Sequence, residues 1–218
     1  MIAARCATAI GLAAVVGVVA CEPTLPTRDC VGCTYDFVDT VPPDTILFHW
    51  PSSGVRVRFW ADPQGAMPAL VSLGIATWEA QFLYGEFRGA TVSDSNAADV
   101  IVRWAAGAPA DVPPDTANPV PACDGVTNDS LDASGHSLAT PVHVTLSVKG
   151  GYQPAQIAAC VRRVVIHELG HALGLLKHSP YANDIMYATP LVTRPSAEDQ
   201  RTIERLYHSA PTVTPPVP

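Results

Sequence analysis

Val164 to Ser179 reads VVIHELGHALGLLKHS, and this stretch decides how the rest of the chain is understood. Within it His167, Glu168 and His171 stand as H-E-x-x-H. On a helix, residues four apart lie on one face, so both imidazoles reach one ion while Glu168 stands beside it. The residue types suit that task. Neutral imidazole is a good zinc ligand, three protein ligands leave one position open, and zinc lowers the pKa of a water there to about 7. A neighbouring carboxylate then takes the proton and hands it to a leaving amine. Three fixed positions are a weak signal by themselves, since a solvated polar helix also carries them. Here the flanks are Val165, Ile166, Leu169, Ala172 and Leu173, so the polar trio interrupts an apolar helix. Burying such groups without partners is costly, which favours a metal partner.

Gly174 follows three residues after His171, where a left-handed glycine ends a helix and turns the chain back. His178 comes soon after, placed as a third ligand. With these residues the chain resembles the metzincin metallopeptidases, whose motif is H-E-x-x-H-x-x-G-x-x-H. It is most similar to the matrixin-like branch, where the last His is followed by Ser, as His178 is by Ser179. Asp184-Ile185-Met186-Tyr187 resembles the methionine turn of that family, so Gly174 and Met186 are expected to support the site. One departure stands out. The strict motif puts its third ligand at Lys177, a poor zinc ligand when protonated, so we read a turn lengthened by one residue with His178 as ligand. Tyr187 directly follows Met186 and is not assigned as a ligand.

The resemblance extends to Ile75–Phe82 (IATWEAQF), to Ala98–Trp104 and to the closing Leu206-Tyr207. It implies an α+β, metzincin-like zincin fold: a twisted mixed sheet, an active-site helix and a small C-terminal subdomain ending in a helix. It also implies one catalytic Zn2+ held by His167, His171 and His178, Glu168 as catalytic base, and a polypeptide substrate lying along an edge strand of a monomer. The competing function is a surface-anchored, zinc-dependent binding or adhesion lipoprotein without turnover, which has no use for Glu168. The family's structural zinc and calcium sites do not carry over residue by residue. His136 and His143 with Asp124 or Asp132 are the candidates for an additional Ca2+ or structural Zn2+, against the reading of solvated histidines on a polar loop. Cys30 and Cys33 lie upstream but lack the proline-flanked pattern by which a prosegment thiolate blocks the zinc in this family.

Outside the motif, period-two alternation predicts a strand at Val55–Trp60 (VRVRFW), and Ala98–Trp104 and His143–Val148 read as two more. Leu70, Leu73, Trp78 and Phe82 predict a helix over Pro68–Phe82. Pro154 suits the first turn of a helix from Ala155 to Leu173, and Ser196, standing before Glu198 and Asp199, caps one reaching Tyr207. Gly107 to Gly135 has no periodicity and reads as a long surface loop. The domain is expected over 46–208. A Pro/Thr-rich tether precedes it over 21–45, and a disordered Pro-rich tail occupies 209–218.

The amino terminus reads as an export address. Arg5 precedes the apolar run Ile10–Ala20, and Val18-Val19-Ala20-Cys21 resembles a bacterial lipobox, which makes 1–20 a signal peptide and Cys21 a lipidation site. A plain secretory signal is the alternative. Either way the chain is expected outside the cytoplasm, secreted or held at a membrane only through its lipid. In that oxidising setting Cys30, Cys33, Cys123 and Cys160 should form disulfides. A local Cys30–Cys33 bridge with a Cys123–Cys160 staple is preferred, against a CxxC metal or redox site. A formal net charge of -7 with no Lys/Arg-rich run excludes a phosphate-binding surface, and with it nucleic acid as partner.

Overall fold

A computed structural model of the chain describes residues 39–41, 44–51, 54–105, 122–132, 135 and 137–213. Cys21, Cys30, Cys33, His136 and the expected signal peptide lie outside them. Two short strands, β1 (Asp39–Val41) and β2 (Asp44–Ile46), pair antiparallel. They fall within the stretch expected to be tether, so regular structure begins earlier than Ile46.

The main sheet has five strands: β3 (Val57–Ala61), β4 (Gly89–Val92), β5 (Val100–Trp104), β6 (Cys123–Asn128) and β7 (Val142–Val148), in the order β4-β3-β5-β7-β6. All neighbours run parallel except β6, which pairs antiparallel with β7 at one edge. Alternation explains β3, where Val57 and Phe59 are buried while Arg58 reaches Asp99 at 2.6 Å and ties β3 to the start of β5. β7 repeats the pattern with Val142, Val144 and Leu146 inward.

The strands expected at Val55, Ala98 and His143 are thus present, but β4 and β6 correct the expectation. GATV of β4 is a four-residue edge with a single aliphatic residue. CDGVTN of β6 lies inside the stretch read as loop, because an edge strand needs only one good face. Its inward residues are Cys123, Gly125 and Thr127, none of them a large hydrophobe.

Three helices complete the domain. α1 (Met67–Glu79) buries Met67, Val71, Ile75 and Trp78 and packs on β3, β4 and β5. α2 (Pro154–Ala172) begins with Pro154 and a reciprocal Gln153–Gln156 cap and packs on β6, β7 and α1. Where α1 crosses α2, Gly74 has no room for a Cβ, which would sit 2.5 Å from Leu169 Cδ1, and Trp78 Nε1 donates to the Ile166 carbonyl at 2.8 Å. α3 (Ala197–Tyr207) starts at a Ser196/Asp199 capping box and buries Ile203 and Leu206. Among the described residues no helix is long and apolar enough to cross a membrane.

The domain does not end at residue 208. Thr212 N and Val213 N donate to the Leu47 carbonyl at 2.9 and 3.1 Å, and Val213 bridges Phe48 in parallel. Residues 209–213 therefore belong to the fold rather than to the tail expected there, since Val213 gains burial and its backbone gains partners.

Candidate active site

The last two turns of α2 carry His167, Glu168 and His171 toward the cleft beneath β6. Each of the two ring side chains is fixed by a carbonyl on its far side. His167 Nδ1 donates to Ile185 O at 2.7 Å, and His171 Nδ1 donates to Leu175 O at 2.5 Å. A carbonyl has no proton to give, so both Nδ1 atoms carry the hydrogen and both Nε2 atoms keep a lone pair. Burial pushes His167 down to about 4 and His171 down to about 3, which leaves both rings neutral near pH 7.

α2 then stops. Gly174 has φ +111, Gly174 N donates to His171 O at 2.9 Å, and Leu175 N reaches back to Gly170 O at 3.1 Å. A Cβ at Gly174 would run into the Phe48 carbonyl and lie 3.0 Å from Leu206 Cδ2, so conformation and space both demand glycine. The chain carries one residue more than the strict spacing between Gly174 and the last ligand, and it is His178 that joins the other rings. His171 Nε2 lies 3.1 Å from His167 Nε2 and 3.2 Å from His178 Nε2, while the His178 ring stacks on His167 with centroids 5.2 Å apart. His178 is exposed, and partial burial lowers its pKa too.

Nitrogens that turn lone pairs toward one point repel unless a cation lies between them. Zinc suits the spacing: bonds of about 2.0–2.1 Å in tetrahedral geometry put ligand nitrogens about 3.3 Å apart. Among the described residues these three histidines, with ligand atoms all within 4.8 Å, are the one group of three His, Cys, Asp or Glu side chains able to hold a metal ion. The second site considered from sequence includes His136, which lies outside the described residues. On the β6–β7 ladder Asp124 lies opposite Ser147, whereas His143 lies opposite Asn128 at the other end.

Beneath the rings, Met186 is fully buried against Gly170, where a Cβ would collide with its sulfur. The methionine turn is held from outside the sequence motif as well as from within it. The Asp199 carboxylate accepts from Ile185 N at 2.7 Å, Met186 N at 3.2 Å and Ser196 N at 2.8 Å. Ser179 N donates to Met186 O at 2.7 Å, and the Ser179 hydroxyl donates to Asp184. Asp199 was visible only as a helix-capping residue, three after Ser196.

Glu168 is 5 % exposed, and its roof is β6. Thr127 Oγ1 lies 2.7 Å from Glu168 Oε2 and 3.0 Å from the Glu168 carbonyl. A single hydroxyl proton serves the carboxylate when it is charged, and turns to the carbonyl when the carboxyl carries its own proton. Burial raises Glu168 to about 7, the Thr127 bond opposes that rise, and Asp124 and Asp129 add to it.

Two cavities flank β6. One, of about 300 Å³, is lined by Gly125, Thr127, Glu168, His171 and His178. The other, of about 440 Å³, lies one turn back along α2 and is lined by Asp124, Arg163, Val164, Pro190 and Leu191 with the disulfide between Cys123 and Cys160. That bond ties the first residue of β6 to α2 about two helical turns before Glu168.

Comparison with curated proteins gives no match. The Matrixin family model of peptidase family M10 matches residues 70–208, a span that holds all three imidazoles, Glu168, Met186 and Asp199. It covers well over half of the 218 residues, and the mixed sheet with its helices agrees with the fold of that family. The chain therefore belongs to the matrixins, a family of zinc metallopeptidases.

Proposed function

We propose that this protein is a zinc-dependent endopeptidase acting on polypeptides outside the cytoplasm. One observation carries the reading: three imidazole nitrogens converge within 3.1 and 3.2 Å steps beside a buried carboxylate that shares their cleft. His167, His171 and His178 would hold the zinc. Bound zinc supplies a Lewis acid that acidifies water and polarises a scissile carbonyl.

The remaining steps belong to the chain itself. The outer edge of β6, which no other described strand pairs with, offers backbone groups to a substrate lying extended, as an added strand does. The cavity beside Val164 receives a substrate side chain. Glu168 takes a proton from the attacking water and delivers it to the leaving amine. One chain supplies every part of this cleft, so a monomer suffices. Export through residues 1–20 and lipidation at Cys21 complete the proposal and rest on the sequence pattern alone.

Metal analysis of the purified protein should give one zinc per chain, and chelation should stop cleavage of an unfolded protein substrate. Glu168→Gln should keep the zinc and lose turnover by about 100-fold or more. Hydrolysis retained in that variant refutes the base. Zinc without any cleavage by the unaltered protein points to the adhesion reading instead.

A further inference from the structure

Strand β6 touches both ends of the Glu168 carboxylate. Thr127 bonds Oε2 at 2.7 Å, and a Cβ added at Gly125 would lie 2.5 Å from Oε1 and 2.6 Å from Cγ. The same Cβ would lie 2.6 Å from Val164 Cγ1, so only glycine lets the strand backbone settle this close to α2. The disulfide at Cys123, two residues earlier, fixes the approach from the other end. Glutamate has three side-chain torsions to immobilise, and the hydrogen bond that orients this carboxylate comes from the opposite wall, from Thr127.

We infer that Thr127 is a positioning residue for Glu168. Its hydroxyl, on a strand that Gly125 allows to close in, holds the carboxylate in the one orientation from which it serves as base. The inference rests on the proposed peptidase reading and adds to it the residue that aims the base. A purely structural alternative exists, in which the hydroxyl only satisfies the Glu168 carbonyl 3.0 Å away and so helps seat β6 on α2.

The test compares Thr127→Val, Thr127→Ser and Glu168→Gln in the zinc-loaded protein, with turnover of a peptide substrate, zinc content and melting temperature read together. Removing an orienting partner of this kind costs about 10- to 100-fold. We expect Thr127→Val to lose kcat by that factor while KM stays within about twofold and zinc content is unchanged, because only the aim of the base is lost. Thr127→Ser, which keeps the hydroxyl, should return kcat to within about threefold. Should Thr127→Val fail to fold, Thr127→Ala takes its place, since it also removes the hydroxyl and adds no bulk beside α2, and the same loss in kcat is expected. Wild-type kcat in Thr127→Val, a loss that follows zinc or melting temperature, or no rescue by serine each overturns the inference. Absence of cleavage by the unaltered zinc-loaded protein instead overturns the peptidase reading beneath it, and full activity in Glu168→Gln removes the base itself, so the failures are told apart.

Discussion

The floor and the roof of the cleft are secured in different ways. On the floor, His167 and His171 lean on the carbonyls of Ile185 and Leu175, both within twenty residues along the chain, and the turn that supplies Ile185 is held in place by Asp199. On the roof, β6 is an edge strand paired with β7 and fastened to α2 by a disulfide 37 residues apart in sequence and by one threonine. The floor is thus built from local repeats and neighbouring turns, and losing any part of it should cost the metal. The roof is held by separate, removable attachments, and losing one should cost turnover while the metal stays.

The largest effect should come from the floor. His167→Ala removes a ligand and the bond to Ile185 together, and should lose both zinc and cleavage; a variant that still holds one zinc per chain would end the distinction between floor and roof. Acid should act on the same wall. In the metal-free folded chain burial holds His167 at about 4 and His171 at about 3, below the ordinary 6.5, so folding favours the neutral rings. That contribution is complete above pH 6.5 and is lost as the pH falls toward about 3, while Glu168 and Asp199, raised by burial to about 7 and about 6, act in the opposite sense. Melting series on chelated protein with and without His167→Ala and His171→Ala will register the histidine part as their difference, shrinking over that window.

Asp199→Ala is next. It strands the N–H groups of Ile185, Met186 and Ser196, and at about 1–3 kcal/mol for each of the two buried ones, Ile185 and Met186, should cost about 2–6 kcal/mol in denaturant titrations and weaken zinc binding. The smallest change should follow from the roof. Replacing Cys123 and Cys160 by serine should cost about 2–4 kcal/mol of stability and lower kcat, with zinc content unaltered. Zinc lost from that double variant, or kept in Asp199→Ala with an unchanged melting point, would show that the two walls are not separable.

The same contrast explains what could be read from the chain beforehand. α2 is legible because its apolar flanks repeat at helical spacing around the histidines, and α3 because Ser196 and Asp199 announce its start. Gly174 and Met186 were legible through resemblance, and the structure gives each a physical reason: a positive φ against the Phe48 carbonyl, and a sulfur filling the space that Gly170 leaves. β6 was not legible. Its inward positions are a half-cystine, a glycine and a threonine, chosen for what they touch on α2 rather than for hydrophobicity, so no periodic pattern marks them. Asp199 illustrates a third case, a residue whose local signal as a cap was clear while its longer reach to Ile185 and Met186 depends on tertiary packing. The end of the domain was misplaced because Thr212 and Val213 find their partners at Leu47 and Phe48, about 165 residues away.

That pairing of the two margins of the domain carries a mechanical consequence. Phe48 and Val213 run in parallel, so a pull that drew the preceding chain backward and the following chain forward would slide the two segments past one another instead of peeling them apart. The hydrogen bonds joining Leu47 to Thr212 and Val213 would then share the load and have to yield together. Trp50, whose indole donates to the Ala172 carbonyl at 2.8 Å, passes what remains to the end of α2, on the side of the helix where the turn toward His178 begins.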